Sequence, residues 1–282
     1  MRYLIFGDIH GKHLDVLEKT LNSEKPDMII CLGDFDNTDV VRQWIKIQKN
    51  YPALTVPGNH DHAILKAIPI WTSIWDVSED EAEEYTQKLH EDLHSDKECL
   101  NFIKSLIYGK TESKEDNAEY FIFNQVSEDL KRFENILFSD KEYSNFIKTG
   151  VYKRTYMLER KIRIGNKNTV VVHGGFAGDI NSWSECPEEY RPLWYRIREI
   201  QHAKENFEEM EKRGYELMIR GHDHMQQCIA KIGNNIINFE GNISFCTIEE
   251  GLYIINPGAY FDGDYAIMDV KDNIEVRFKN LR

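Results

Sequence analysis

Five short stretches of this 282-residue chain combine the side chains that bind transition metals in proteins, namely carboxylates, imidazoles and one amide. Each stretch directly follows an apolar run that is typical of a buried strand. The stretches are Gly7-Asp8-Ile9-His10-Gly11, Gly33-Asp34, Gly58-Asn59-His60-Asp61, His173-Gly174-Gly175 and Gly221-His222-Asp223-His224. Together they supply enough ligands for two metal ions. Two ions held in one site can activate a water molecule for hydrolysis.

The apolar runs must form the elements that position these side chains. The five predicted strands are Tyr3 to Phe6, Met28 to Leu32, Ala53 to Val56, Thr169 to Val172 and Leu217 to Ile219. We expect their ends to converge on one edge of a sheet, where open α/β folds bind their ligands. The two-residue step from Asp8 to His10, repeated from His222 to His224, lets both side chains reach inward from a strand end or from the turn leaving it.

In their order along the chain, the five stretches resemble the motifs of the calcineurin-like metallophosphoesterases: Asp-x-His, Gly-Asp, Gly-Asn-His-Asp/Glu, a lone His and Gly-His-x-His. One such motif alone carries little information, whereas five in series over residues 7–224 leave little room for chance. The resemblance implies an α/β fold with four layers, the α/β/β/α sandwich of two facing sheets with helices outside. It also implies hydrolysis of a phosphoester by hydroxide that two metal ions activate.

The resemblance further implies which residues bind the ions. One ion would be held by Asp8, His10, Asp34 and His224, and the other by Asp34, Asn59, His173 and His222. Asp34 would bridge the two. Mixed carboxylate and imidazole ligands favour Mn²⁺, Fe²⁺/Fe³⁺ or Zn²⁺ over Mg²⁺ or Ca²⁺. We expect two divalent ions, with manganese first and iron or zinc as alternatives.

The candidate catalytic residues are His60 and Asp61. His60 is similar to the non-ligand histidine of the family and is our candidate general acid for the leaving alkoxide. A general-acid histidine needs an orienting carboxylate, and either Asp61 or Asp36 could serve. The sequence does not choose between these two.

The chain departs from the Ser/Thr protein phosphatases, which follow their Gly-Asp with a further Asp-Arg-Gly. Here the sequence continues Phe35-Asp36-Asn37, so the phosphate-binding arginine of that subfamily is absent from the matching place. Possible substitutes, each with a surface role as its alternative, are Arg191, Arg196, Arg198 and Arg220. Small phosphomonoesters or nucleotide-type phosphodiesters are therefore the first expectation. A phosphoprotein phosphatase, or a binding scaffold that keeps the fold without turnover, is the alternative.

The net charge of −13 disfavours a nucleic-acid partner, because proteins that bind polyanions usually carry clusters of Lys and Arg. Two divalent ions would add about four positive charges locally, so a small phosphoester remains the expected partner. Nothing in the sequence indicates the oligomeric state.

The sequence also bounds the cellular setting. No apolar run approaches the length of a membrane helix or a secretory signal, so we expect no membrane association and a cytoplasmic location. The cysteines are odd in number and lack the close pairing of a zinc site, which favours reduced thiols. They are Cys31, Cys99, Cys186, Cys228 and Cys246.

We expect a single domain over residues 1–282. Strands and helices alternate in the first sixty residues, which predicts parallel strands joined by right-handed crossovers. Beyond residue 215 the apolar runs are shorter and separated by turn signals, which predicts a second, largely antiparallel sheet. Residues 62–150 are predicted to form a helical insertion, or cap. Its stretch 76–98 has ten acidic residues against two lysines, as on a solvated helix face.

Overall fold

Two six-stranded sheets form the centre of the protein in a computed structural model, which describes residues 1–70, 78–109, 158–179, 190–241 and 243–281. The strands are β1 (Arg2–Phe6), β2 (Met28–Cys31), β3 (Ala53–Thr55), β4 (Glu159–Ile164), β5 (Lys167–Val172), β6 (Leu217–Ile219), β7 (Gln226–Ile232), β8 (Asn235–Glu240), β9 (Phe245–Ile248), β10 (Leu252–Pro257), β11 (Asp264–Val270) and β12 (Ile274–Asn280). The predicted strands before the five polar stretches are all present, with small differences at their ends.

Each sheet has parallel strands at its centre or on one side and antiparallel strands beyond them. The first sheet has the order β3-β2-β1-β11-β12-β9, in which β1, β2 and β3 are parallel. The second has the order β4-β5-β6-β10-β7-β8, in which β5, β6 and β10 are parallel. The parallel arrangement predicted for the first sixty residues is thus confirmed.

The second, largely antiparallel sheet predicted from the C-terminal part is present, with three of its five strand pairings antiparallel, but it does not include all of the C-terminal strands. Strands β7, β8 and β10 extend the second sheet, whereas β9, β11 and β12 pair onto β1 and extend the first. A turn signal fixes where a strand ends but carries no information about which exposed sheet edge the strand will join. Both parallel units have an open edge, and unpaired backbone groups there are satisfied by adding strands.

Helices cover both outer faces. They are α1 (Asp15–Glu24), α2 (Thr38–Asn50), α3 (Asn59–Lys66), α4 (Glu79–Ser95), α5 (Lys97–Tyr108), α6 (Arg191–Trp194) and α7 (Ile200–Arg213). Because side chains alternate along a strand, Phe6 of β1 packs with Trp44 of α2. Its neighbour Ile5 belongs instead to a buried cluster that also contains Ile219 of β6 and lies between the sheets. On the far side the second sheet packs against α7, which confirms the four-layer α/β/β/α sandwich.

The described part of the predicted insertion is helical. Leu89 and Leu93 of α4 and Ile103 of α5 belong to the same buried core as β1 and α2. The predicted boundary at residue 62 lies within α3, which begins at Asn59. Residues 71–77 and 110–157 lie outside the described ranges, so the extent of the insertion up to residue 150 stays a prediction.

The structure bears on two of the expectations drawn from composition. The described cysteines Cys31, Cys99, Cys228 and Cys246 are free thiols, and Cys186 lies outside the described residues. Within the described part of the chain, no helix has the length and apolar composition needed to cross a bilayer.

Candidate metal centre

The predicted ligands meet at strand ends that belong to both sheets. The expectation that all five ends share one sheet edge is wrong, because β1, β2 and β3 lie in the first sheet while β5 and β6 lie in the second. Buried apolar strands have similar sequences in either sheet, so the sequence did not show which sheet each strand joins. The site therefore spans the seam between the sheets. Two contacts close this seam: the N–H of His222 lies 3.0 Å from both carboxylate oxygens of Asp8, and Nδ1 of His173 lies 2.6 Å from the carbonyl oxygen of Leu32.

The turns that leave these strands have an unusual backbone. Six residues of the site region have left-handed φ values between 46° and 73°; they are Asp8, His10, Asp34, Asp36, His222 and His224. Non-glycine residues rarely adopt this conformation, which costs of order 1–3 kcal/mol each and is concentrated at functional sites. The paired side chains of Asp8 and His10 thus converge from a turn rather than from an extended strand.

Two glycines allow the close approach of these turns. A Cβ atom on Gly58 would lie 1.9 Å from Oδ1 of Asp34, and one on Gly221 would lie 2.5 Å from Oδ2 of Asp8. Both distances are far below van der Waals contact. The absence of a side chain at these two positions is therefore a requirement for placing the two carboxylates.

One group of four potential ligand atoms is fully buried. It comprises Asp8, Asp34, His173 and His222, and the atoms lie within 4.8 Å of one another. Oδ2 of Asp34 and Nδ1 of His222 are buried and have no hydrogen-bond partner. Buried polar atoms are normally paired, and two orphaned atoms on members of one ligand group point to an ion. Burial alone would raise the pKa of Asp8, but nearby histidines, His224 first, hold it below its ordinary value, so this ligand is anionic.

A second group, Asp8, His10 and His224, lies on the more open side of the first. Nε2 of His10 and Nε2 of His224 are 3.0 Å apart, and at most one of a pair of facing nitrogens can donate to the other. Oδ2 of Asp34 lies 3.3 Å from Nε2 of His173 and 3.8 Å from Nε2 of His10. Asp34 therefore lies between the two groups, as a bridging carboxylate must.

Asn59 completes the predicted ligand set: its Oδ1 lies 2.9 Å from Nε2 of His173. The structure thus brings together all seven predicted ligands. Their hard oxygens and imidazole nitrogens fit two divalent cations, for which the chain supplies the ligands in two adjoining groups. Asp8 belongs to both groups, a second candidate for bridging that the sequence did not indicate.

Contacts behind the ligands orient the imidazole rings. His173 faces the carbonyl of Leu32 through Nδ1, and Nε2 of His222 lies 3.0 Å from the carbonyl of Trp194. A ring nitrogen facing a carbonyl must carry the proton, which leaves the other nitrogen as a lone-pair donor towards the site. Burial lowers the pKa of His173, but the charges of Asp34 and Asp8 outweigh it and raise the pKa to about 9. Binding of an ion would therefore displace a proton from Nε2 of His173.

Asp36 joins the metal ligands to the candidate general acid. Its Oδ2 lies 3.0 Å from Nδ1 of His10, and its Oδ1 lies 2.8 Å from Nδ1 of His60. Burial would lower the pKa of His60, but the carboxylates of Asp36 and Asp34 outweigh it and raise the pKa to about 9. Of the two carboxylates considered for orienting His60, Asp36 is the one that contacts its ring.

Asp61 faces backbone amides. Its Oδ2 accepts from the N–H groups of Asp34 (3.0 Å) and Gly58 (2.7 Å), and its Oδ1 accepts from Phe35 (3.0 Å). The contact to Gly58 caps the N-terminus of α3. Burial and the charge of Asp34 raise the pKa of Asp61 to about 7, against the effect of these donors. These contacts indicate that Asp61 holds the turn that carries Asp34.

We expect Asp61→Ala to destabilise the protein as well as to lower activity. Three buried N–H donors would lose their acceptor, at about 1–3 kcal/mol each, so the free energy of unfolding should fall by at least about 3 kcal/mol. Urea denaturation measures this loss, with His62→Ala in the same helix as the control for a buried side chain. An unchanged free energy of unfolding together with lost turnover would instead support the direct catalytic role predicted for Asp61.

The guanidinium of Arg220 makes its hydrogen bonds within the protein and is not accessible to a substrate. It is fully buried, and it donates to the carbonyl of Gly174 from Nε (2.9 Å), to the carboxylate of Asp223 from Nη1 and to the carbonyl of Tyr195 from Nη2 (3.2 Å). These contacts join the loop after His173 to the loop that carries His222. Arg220 therefore organises the ligand loops.

Arg196 lies beside the ligands. Its guanidinium donates to the carbonyl oxygen of His222, and its side chain is half-buried. Arg198 is exposed, and the side chain of Arg191 is not among those described. Among the substitutes whose side chains the structure describes, Arg196 is the one that is partly exposed and donates to a predicted metal ligand.

One residue that supports the site was missed from the sequence. Asn256, at the end of β10, is fully buried; its Nδ2 donates to the carbonyl of Gly221 and its Oδ1 accepts from the N–H of Gly258, both at 3.0 Å. A signal existed, because Asn256-Pro257-Gly258 also follows an apolar run. Since β10 is parallel to β6, its carboxyl end lies at the same end of the sheet as His222.

The fold and this donor set define a metallophosphoesterase-type site. The chain belongs to the calcineurin-like phosphoesterase family, whose profile matches residues 1–226. Members of this family use divalent metal ions, and the Asp/His groups described above could bind them.

Solved structures show the same fold. A metallophosphoesterase from Sphaerobacter thermophilus is 21% identical, with a TM-score of 0.56, and the alignment covers 100% of this chain and 88% of that chain. A hypothetical protein from Pyrococcus horikoshii OT3 is 10% identical, with a TM-score of 0.50, and the alignment covers 99% of this chain and 87% of that one. No curated protein matches the sequence significantly.

Proposed function

We propose that the protein is a metal-dependent phosphoesterase that hydrolyses small phosphomonoesters or nucleotide-type phosphodiesters. The observation that carries this proposal is the junction made by Asp36, which contacts the ligand His10 with one oxygen and the non-ligand His60 with the other. A metal store or a purely structural metal site has no need of a protonated histidine beside the ligands. A hydrolase that must protonate a leaving group does.

The two proposed ions, manganese first and iron or zinc as alternatives, would supply Lewis acidity and a hydroxide at neutral pH. They would be held by Asp8, His10, Asp34, Asn59, His173, His222 and His224. The protein's own groups perform the remaining tasks. Nδ1 of His60 donates to Asp36, and because the pKa of the ring is raised to about 9, Nε2 also holds a proton at neutral pH, which His60 can deliver to the leaving oxygen. The N–H of His60 also donates to Oδ1 of Asp34 at 2.9 Å, which fixes the acid relative to the ligands.

Charge supports a small anionic substrate. The net charge of −13 opposes binding of an extended polyanion. The site itself would be locally positive once two ions are bound, and Arg196 adds a guanidinium beside His222. Electrostatic attraction that is confined to the metal site favours a small phosphoester over an extended polyanion.

A substrate panel tests this proposal. After chelation and reloading with Mn²⁺, Fe²⁺ or Zn²⁺, we expect turnover of nitrophenyl phosphate, bis-nitrophenyl phosphate or both, with two ions per chain by mass spectrometry. A phosphopeptide on the same panel tests the alternative of a phosphoprotein phosphatase. A protein that holds two ions yet hydrolyses no member of the panel would overturn the proposal and leave the scaffold role.

A further inference from the structure

An exposed aromatic ring stands at the open side of the metal centre. The side chain of Phe261 is 37% exposed, and its ring contacts that of His10 edge-on, with centroids 6.2 Å apart and an interplanar angle of 83°. Of the ligands, Asp8 and His173 have fully buried side chains, whereas the side chains of His10 and His224 are 7% and 19% exposed. Solvent thus reaches the centre from the His10 and His224 side, which is where Phe261 lies.

The backbone holds Phe261 in place. Its N–H donates to the carbonyl of Asp8 at 3.1 Å, and the N–H of Tyr260 donates to the carbonyl of Gly7 at 2.9 Å. Nζ of Lys12 donates to the carbonyl of Phe261 at 2.9 Å. The neighbouring Tyr260 is fully buried and packs edge-on against Phe6, with ring centroids 5.4 Å apart. The ring of Phe261 is therefore positioned by the same turn that carries the ligand Asp8.

A second exposed apolar residue follows a predicted ligand in the chain. Met225 directly follows His224 and is 38% exposed. Single exposed apolar residues are common on protein surfaces. A ring that contacts an accessible predicted ligand, as that of Phe261 contacts His10, instead places an apolar surface beside a polar centre. Ligand sites typically pair such apolar walls with a few polar groups that fix orientation.

We propose that Phe261 determines substrate specificity by stacking on the base of a nucleotide. This inference rests on the proposed phosphoesterase function and names its substrate class. In a nucleotide, one ribose separates the base from the phosphorus. The ring of Phe261 contacts that of the predicted ligand His10, so a base could reach Phe261 while the phosphate lies at the metal centre. An aromatic side chain stacks on any base, because every base offers a flat π face. A simple sugar or alkyl phosphate offers no such face.

The test compares substrates that share a leaving group and differ in the base. Adenosine monophosphate is paired with ribose phosphate esterified at the same primary hydroxyl. For diesterase activity, the nitrophenyl ester of thymidine monophosphate is paired with the same ester of deoxyribose 5-phosphate, which lacks only the base. The readout is the ratio of kcat/KM within a pair, in which effects on the metal chemistry cancel. The variants are Phe261→Ala and Phe261→Tyr, with Phe239→Ala, which removes a 48% exposed ring from the edge strand β8, as the control.

We expect the wild-type ratio to favour the base-containing member and Phe261→Ala to lower that ratio about 10-fold, the scale of one lost base stack. Phe261→Tyr and Phe239→Ala should keep it. Calorimetric titration with adenosine and with ribose, neither of which can be hydrolysed, should show the same weakening for adenosine alone. An unchanged ratio in Phe261→Ala, or a wild-type ratio near one, would overturn this inference while the phosphoesterase proposal stands. Loss of turnover on both pairs in the wild type would instead be a failure of the proposed function.

Discussion

The variant Asp34→Asn should lose at least one metal ion and lower kcat/KM by more than about 100-fold, the upper limit for residues that only support a ligand. The physical reason is the position of Oδ2, which is buried, lacks a hydrogen-bond partner and lies between Nε2 of His173 and Nε2 of His10. Asparagine keeps the size of the side chain and the acceptor for the N–H of His60. The change therefore removes the charge and one metal-ligating oxygen with little effect on the shape of the turn.

The measurements are metal content by mass spectrometry and kcat/KM on nitrophenyl phosphate. Asp36→Asn is the matched control, since Asp36 is also buried, also has a left-handed backbone and lies behind the ligands rather than among the seven. It should retain both ions and lose about 10–100-fold in activity. Two bound ions and full turnover in Asp34→Asn would show that Asp34 does not bridge, and Asp8, which belongs to both ligand groups, would take that role.

The variant His60→Asn should separate substrates by the basicity of their leaving groups. We expect kcat on an alkyl phosphate to fall roughly 10²-fold or more, the usual contribution of a general acid. Nitrophenolate is stable at neutral pH and needs little protonation, so the loss on nitrophenyl phosphate should be far smaller. Both metal ions should remain, because His60 contacts Asp36 through its ring and is not one of the seven ligands.

His62→Asn is the control for this experiment. His62 is also buried in α3, but its ring stacks on Tyr190, with centroids 3.8 Å apart. It belongs to neither of the two ligand groups described above, nor to the third potential metal-binding group of the described residues, which comprises His10, Asp36 and His60. Its replacement should change turnover of both substrate types by the same factor. Equal losses on both substrates in His60→Asn, or loss of an ion, would assign His60 to positioning or to the coordination of the metal.

The partner of His60 shows where inference from sequence stops. Asp61 is its neighbour in the chain, whereas Asp36 is 24 residues away, and both remained candidates. The first turn of α3 directs the carboxylate of Asp61 back onto the N–H of Gly58 and onto the turn at Asp34. Adjacent residues of a helix point in directions about 100° apart, so sequence proximity could not bring Asp61 to the ring of its neighbour.

The sheet partners show a second limit. The strand positions could be predicted, because apolar runs and turn residues are local signals. Which edge each C-terminal strand joins depends on contacts such as that between Ile5 of β1 and Ala266 of β11, 261 positions later in the chain. No local pattern encodes that choice. Nor does any local pattern show that β5 and β6 join a different sheet from β1, β2 and β3, so the expectation that the ligands share one sheet edge was wrong.

The sequence by itself determined the family, and it predicted seven metal ligands and His60, because each motif is a few residues long and directly follows a strand whose apolar run marks its end. Only the tertiary structure decided that the ligands meet across two sheets, that Asp36 rather than Asp61 contacts His60, and that Phe261 stands beside His10. These features bring together side chains from distant parts of the chain. Their proximity depends on how the two sheets pack and on left-handed turns that the surrounding hydrogen bonds maintain. Neither feature can be predicted from a short segment of sequence.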